Sequence, residues 1–261
     1  MLGLLAVLVG WLLHGGRLYV VETSSMGTRA PVGSLVAVSP ASLSQVRVGD
    51  VVTVRPDGRD DVWTHQVQAI NPDGTLSTRG RISGPDPWRI GEGQLIGEAH
   101  VFERIGWLVK AAPLLLASGL VLAFAIRRVR RDLRLPMGLA GATAALALAL
   151  VVYQPFQGAD QLRLAAQDGG AVGAWVNTGL LPLRLAPLSG EPAQVIASGE
   201  VARFHFVHPT DGGRYGVRLS PQVPWLLWVG IVGACLLPAA VETARRRPGV
   251  GRDRSSTAER A

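Results

Sequence analysis

Hydrophobic residues in this chain are laid out in two textures. Four stretches are continuously apolar: Met1–Leu13, Ile105–Ile126 broken only by Lys110 and Ser118, Met137–Tyr153 with Thr143 as its one clearly polar residue, and the uncharged Val223–Val241. Between them apolar and polar residues alternate in short runs separated by Gly, Pro, Asn and Asp. A helix rises about 1.5 Å per residue and the hydrocarbon core is about 30 Å thick, so ~20 apolar residues span it. The second and fourth runs meet that length, and the third reaches it by extending through Gln154 to Phe156. The first is too short on its own. The pattern predicts membrane helices at 105–126, 137–156 and 223–243, with a short and incomplete one at 1–16.

The alternating stretches predict strands, because a period of two is what a half-buried strand requires. In residues 17–104 these are Arg17–Glu22, Ser34–Val38, Asp50–Val54, Val62–Ile70 and Gln94–Phe102. Turn chemistry falls between them at Pro31-Val-Gly33, Val48-Gly-Asp50, Pro56-Asp-Gly58 and Asn71-Pro-Asp-Gly74. Residues 157–222 carry a second set: Ala171–Val176, Leu181–Leu188, Ala193–Val207 and Tyr215–Leu219. Asn177-Thr-Gly179, Ser189-Gly-Glu-Pro192 and Asp211-Gly-Gly213 separate them. The fold class expected is therefore mainly β domains carried on transmembrane helices. The first is a compact antiparallel domain, and the second a small β-sandwich for which an immunoglobulin-like form is one option.

Charge refines this picture. The net charge is +7, but the excess is clustered. Arg127, Arg128, Arg130, Arg131 and Arg134 follow the second apolar run, and Arg245, Arg246, Arg247, Arg252 and Arg254 follow the fourth. Short loops rich in Arg stay on the cytoplasmic side, so the clusters read as topology signals, and nucleic acid is not expected as a partner. The order that results is 17–104 extracytoplasmic, 127–136 a cytoplasmic basic loop, 157–222 extracytoplasmic and 244–261 a cytoplasmic basic tail. Trp107, Trp225 and Trp228 lie near the outer ends of their runs, where indole rings favour the interface. Residues 1–13 lack the basic leader and small-x-small site of a secretory signal; the expectation is an N-terminal anchor whose start can lie upstream of Met1. Cys235 is the one cysteine, which excludes an intramolecular disulfide and a cysteine-type zinc site. His205 and His208 are the one closely spaced histidine pair and would point to opposite faces of a strand. No metal and no cofactor are expected.

Candidate chemistry comes from one ordered series. Ser25-Met26 precedes Thr64-His65, which precedes Asp86. A serine hydroxyl needs a base within hydrogen-bond reach, and the base in turn needs an orienting group. Around these residues, Glu22-Thr-Ser-Ser-Met26, Val32-Gly-Ser-Leu-Val-Ala-Val38, Val48-Gly-Asp-Val-Val-Thr-Val54 and Trp63-Thr-His-Gln-Val67 follow in order. Asp73-Gly74, Thr78-Arg-Gly80, Pro85-Asp-Pro-Trp88 and Ile96-Gly97 continue the series.

This series, over about residues 1–110, resembles type I signal peptidase, and specifically the archaeal and endoplasmic-reticulum branch also found in some Gram-positive bacteria. That branch carries His where the common bacterial branch carries a catalytic Lys. Lys110 is the only lysine here and stands far along the chain from Thr64-His65, in keeping with a Ser-His pair. The resemblance implies a signal-peptidase-like β fold, Ser25 as nucleophile, His65 as general base, and Thr23 joining the Ser25 N–H in binding the oxyanion. Ser24 stands where the family usually has Gly. Asp86 is the orienter of His65 on this reading; Gly-Pro-Asp-Pro is equally a turn sequence, and Asp60 or Asp61 are alternatives.

The chain departs from the pattern in three places. Thr28 replaces a usual Pro, Arg81 replaces an Asp, and the segment before Asp86 is one residue shorter. Arg81 can pair with Asp86 or weaken His65 as a base. Small apolar residues in Ser34–Val38 and around Thr53 are candidates for lining substrate pockets. The function implied is a membrane-bound serine endopeptidase of the cell membrane that removes signal peptides from exported preproteins at the outer face. Its partners would be those preproteins and the lipid bilayer. The alternative is a catalytically weakened membrane protein that binds or helps assemble secreted or surface proteins.

Overall fold

A computed structural model of the chain describes residues 2–246 except 168, 211 and 212. The Asp211-Gly212 part of one expected turn, and Arg247, Arg252 and Arg254 of the basic tail, lie outside the described residues. The chain divides into two compact units, Met1–Pro113 with Ala149–Val223, and Leu114–Leu148 with Pro224–Ala261.

The first unit begins with α1 (Leu2–Leu13) and then forms seven strands: β1 (Arg17–Val20), β2 (Leu35–Ser39), β3 (Val51–Val54), β4 (Trp63–Ile70), β5 (Leu76–Gly80), β6 (Gly84–Ile90) and β7 (Leu95–Phe102). They make one antiparallel sheet in the order β1-β2-β7-β3-β4-β5-β6. Two apolar clusters fill it. Met26, Ala30, Val36, Val38, Val51 and Ala99 form one, and Val46, Val52, Val54, Val67, Leu76 and Ile90 the other. The β4–β5 connection shows how local sequence sets the path. Asn71 N–H bonds the Thr75 carbonyl, Gly74 takes φ +80°, and Thr75 donates twice to the Asp73 carboxylate. Those bonds, the Thr75 hydroxyl first, hold the Asp73 carboxyl below its ordinary value.

Strands β5 and β6 were not among the expected elements. Thr78-Arg-Gly80 has too few apolar residues to read as a strand, and Pro85-Asp-Pro87 reads as a turn. Proline is tolerated in a sheet where its missing N–H faces away from any neighbour; β6 is an edge strand, paired only with β5. Asp86 therefore sits on a strand. Its alternation is clean: Pro85, Pro87 and Arg89 are exposed, while Asp86, Trp88 and Ile90 turn inward.

The same unit holds β8 (Ala159–Gln167), β9 (Gly170–Asn177), β10 (Leu183–Pro187), β11 (Gln194–Ile196), β12 (Val201–Phe206) and β13 (Val217–Pro221). They form two three-stranded sheets, β11-β10-β13 and β12-β9-β8. Trp175, Leu183, Leu185, Ile196, Phe204 and Phe206 share one core between them. Strand β8 had no apolar alternation to announce it, because most of its side chains are exposed. The expected strand Ala193–Val207 is two strands, broken by a turn at 197–200 in which Gly199 takes φ +78°. The side chain of His205 is exposed on the Arg203 face.

The larger part of each of α2 (Gly106–Arg127) and α3 (Arg134–Tyr153) lies in the second unit, and these are the two described helices long and apolar enough to cross a membrane. The expected span 137–156 thus starts three residues earlier and ends before Pro155, with Gln154 at φ +41°. Helix α4 (Trp225–Arg246) has a shorter apolar stretch among its described residues, Trp225–Leu237. In the basic connection the Arg128 guanidinium lies 3.7 Å over the Phe124 ring, and Arg130 pairs with Asp132 at 3.4 Å. The chain is thus mainly β with apolar helices.

Candidate active site

Ser25 lies just beyond β1, and both of its flanks are pinned. The next residue, Met26, is 2% exposed and plugs the first apolar cluster. The Ser25 carbonyl accepts the Ile82 N–H at 2.8 Å, and Gly27 N–H closes a turn onto Ser24. Such a corner leaves the Ser25 side chain directed by its backbone.

His65 is fixed more tightly still. It is in the middle of the sheet on β4, paired with Val52 of β3, and 1% exposed. Trp63, two residues earlier on the same face, meets the imidazole edge-on at 5.6 Å. Trp63 in turn packs on Trp88, with the Arg59 guanidinium 4.9 Å over the Trp88 ring.

The three residues separated by so much chain come together in one line. His65 Nε2 lies 3.0 Å from Ser25 Oγ, and His65 Nδ1 lies 2.6 Å from Asp86 Oδ2. Since a carboxylate only accepts, Nδ1 carries the proton and Nε2 presents its lone pair to the serine hydroxyl. Asp86 also accepts the Thr78 hydroxyl at 2.7 Å. With Thr78 1% exposed and the Asp86 side chain 6% exposed, this is a buried polar network whose members satisfy one another. Arg81 does not join it: the Asp86 carboxylate is held by His65 and Thr78. Asp60 and Asp61 are exposed, and the carboxylate on His65 Nδ1 is that of Asp86.

Thr78 and Gly80 are contributions that the sequence did not single out by role. They alternate inward with Leu76 along β5, the one period-two signal that marks them. A Cβ at Gly80 would collide with the Ser83 hydroxyl and stand 3.0 Å from the Ser25 carbonyl and 3.2 Å from His65 Nε2. Gly80 therefore leaves open the space beside the imidazole.

Thr23 Oγ1 lies 3.4 Å from Ser25 Oγ. No hydrogen bond among the described residues uses the Ser25 N–H. The Thr23 hydroxyl is thus a neighbour of the Ser25 hydroxyl, and the Ser25 N–H is not spent on a backbone bond.

A cleft of about 650 Å³ opens beside Ser25, lined on its apolar side by Tyr19, Val21, Met26, Ala30 and Val36. Residues 18–23 bring to it the free edge of the sheet, since β1 pairs only with β2, and residues 61–64 bring the start of β4. Of the residues expected to line a pocket, Val36 does so. Thr53 is not in the cleft wall, and its hydroxyl lies 3.0 Å from that of Thr64. Lys110 is remote from His65 in sequence yet lines the same cleft. Its Nζ is engaged by Glu22 at 2.8 Å, and the nitrogen partner of Ser25 is His65. No group of His, Cys, Asp and Glu among the described residues forms a metal site.

A hydroxyl, an imidazole and a carboxylate in this order can deprotonate the serine and return the proton to a leaving group. Comparison with protein-family models, with curated proteins and with solved structures finds no match to this chain.

Proposed function

We propose that this chain is a membrane-bound serine endopeptidase that resembles the Ser-His branch of type I signal peptidase. The observation that carries the reading is the line Ser25 Oγ–His65 Nε2–His65 Nδ1–Asp86 Oδ2, at 3.0 and 2.6 Å.

The chemistry follows from the atoms. As Ser25 Oγ attacks a peptide carbonyl, its proton passes to His65 Nε2. The imidazolium that forms is held by Asp86, whose own charge is steadied by Thr78. The tetrahedral oxygen takes hydrogen bonds from the Ser25 N–H and the Thr23 hydroxyl, donors aimed where charge develops. His65 Nε2 then returns the proton to the departing amine, leaving an acyl-enzyme on Ser25. Water attacks it with His65 again as base. No cofactor enters these steps.

The cleft supports the substrate class. An extended chain can add to the free edge at 18–23 as a strand, with alternate side chains entering the apolar pocket. A cleft with the half-buried Tyr19 and Val21 in its wall and the buried Val36, Ala30 and Met26 beneath suits small residues before the scissile bond. The substrates proposed are exported preproteins with signal peptides. Helices α2 and α3 cross the membrane with the Arg127–Arg134 connection in the cytoplasm, α4 crosses again, and the peptidase domain faces outside. Engineered cysteines at residues 90 and 210 should then react with an impermeant thiol reagent from outside, and one at 130 should not.

The test is incubation of the full-length protein in detergent with several signal-peptide-bearing preproteins, beside Ser25→Ala. A new product N-terminus after a small residue, absent with Ser25→Ala, supports the reading. Intact preproteins in both samples refute it and favour a binding protein.

A further inference from the structure

The β8–β13 module has no role in the steps above, yet it reaches the catalytic corner. Gly199, in the turn before β12, touches the backbone just after the nucleophile: a Cβ there would lie 2.6 Å from the Gly27 carbonyl carbon and oxygen and 2.8 Å from the Thr28 N. Only a glycine at each of these positive-φ positions, +53° and +78°, allows the approach. Asn177 holds the turn in place, since its backbone carbonyl accepts the Gly199 N–H at 2.8 Å and its N–H bonds the Glu200 carbonyl at 3.0 Å.

Beside this contact lies a second groove of about 730 Å³, with Gly27, Thr28 and Arg81 from one module and Arg163, Ala174 and Arg203 from the other among its walls. The registers explain its form. Arg163 of β8 and Arg203 of β12 both pair with Ala174 of the strand between them. They stand in one row on the outer face, with a small residue as the floor. Neighbouring strands are about 4.8 Å apart, so the two arginines straddle roughly 10 Å. All three arginines are exposed, and no carboxylate among the described residues pairs with any of them. Glu200, the acidic residue of the groove, spends one carboxylate oxygen on the Ala197 N–H at 2.7 Å.

The groove begins where a leaving group would depart. His65 Nε2 must hand its proton to the amine of the scissile bond, and Gly80 is the backbone that borders Nε2. The next residue is Arg81. Around the nucleophile, the apolar cleft takes residues 18–23 with Ser25 and Met26, and this groove takes Gly27 and Thr28, the residues that follow them. A chain laid through the cleft and across the serine runs on into the three guanidiniums.

Resting on the peptidase reading, we infer that the second β module forms the leaving-group side of the substrate site. It selects preproteins whose first few residues after the cleavage point carry Asp or Glu. Guanidinium groups bind carboxylates through paired N–H donors, and an exposed pair contributes up to about fivefold. On this account Arg81 belongs to substrate recognition and does not damp the base.

The test uses the full-length protein and one preprotein in three forms, with acidic, neutral or basic residues at the second to fourth positions after the cleavage site. Wild type should cleave the acidic form with kcat/KM about fivefold or more above the basic form, and added salt should narrow the gap. Arg163→Glu combined with Arg203→Glu should invert that order; cleavage of the basic form by this variant also shows that it is folded. Equal cleavage of all three forms by wild type, or an acidic preference that survives the double reversal, overturns the inference while leaving the peptidase intact. A rate that instead follows the anionic lipid content of a nanodisc, and loses that dependence in the double variant, assigns the arginines to lipid headgroups and likewise overturns it. Absence of any Ser25-dependent cleavage removes the peptidase reading itself, and this inference with it.

Discussion

The two β modules bury polar side chains in different ways, and the difference separates chemistry from architecture. In β1–β7 Ser34, Thr53, His65 and Thr78 are buried, and His65 and Thr78 form one group with the nearly buried Asp86. These three bond side chain to side chain, and their line ends on the hydroxyl of Ser25 at the edge of a cleft. In β8–β13 the buried polar residue among those described is Asn177, and every side-chain bond it makes with them is to backbone. Its Nδ2 donates to the Leu181 and Ile196 carbonyls at 2.9 and 3.1 Å, and its Oδ1 accepts the Gly179 N–H at 2.8 Å. A network closed on the backbone ties loops together. One that leads from a buried carboxylate to a hydroxyl beside a cleft can move a proton.

The largest effect expected separates the modules by chemistry. Ser25→Ala and His65→Ala should each lower cleavage of a preprotein by roughly 10⁴-fold or more, with Asp86→Asn close behind because it leaves the wrong imidazole tautomer. Quantitative cleavage assays on variants with an unchanged melting temperature read this out. A Ser25→Ala protein with full activity would move the chemistry elsewhere.

Next in size is a change in the other module. Phe206→Ala removes a ring that is 2% exposed and packs on Trp175, Phe204 and Tyr215. It should cost about 3–5 kcal/mol of stability, measured by denaturant unfolding. A cost below 1 kcal/mol would mean that the six strands do not depend on this core.

A smaller effect sharpens the role of the network. Thr78→Val keeps the shape and removes one hydrogen bond to a charged group, so kcat/KM should fall roughly tenfold. Thr78→Ser should restore most of it. If Thr78→Val lowers only the melting temperature, Thr78 belongs with Asn177 and not with His65.

The smallest effect is electrostatic. The Ser189 hydroxyl donates to Glu191 at 2.6 Å, and this bond is the first cause holding the Glu191 carboxyl below its ordinary value. A depressed carboxylate stabilises the fold above its unfolded pKa, and the contribution disappears as pH falls through the folded value. Ser189→Ala should move the Glu191 titration upward, seen by NMR of its side-chain carboxyl. An unmoved titration would deny the bond its effect.

Much of this was legible in the sequence. Alternation marks β2, β4 and β7, and the turn residues between them. The order Ser25, His65, Asp86 marks the three residues that meet. What escaped did so for physical reasons. Strand β6 is written with two prolines because its outer edge needs no donors. Strand β5 is short of apolar residues because Thr78 and Gly80 serve the site, one as a donor to Asp86 and one as empty space. Strand β8 is wetted over most of its length, so no period shows. The groove of Arg81, Arg163 and Arg203 was beyond reach, because nothing along the chain says that residue 199 will touch residue 27.

The central claim is that Ser25 and His65 act as one unit, and a double-mutant cycle tests it most directly. Cleavage rates of one preprotein would be measured for wild type, Ser25→Ala, His65→Ala and the double variant. The double variant should be no slower than either single one, since removing one member already disables the other. Losses that multiply, or a His65→Ala protein that cleaves as fast as wild type, would contradict it.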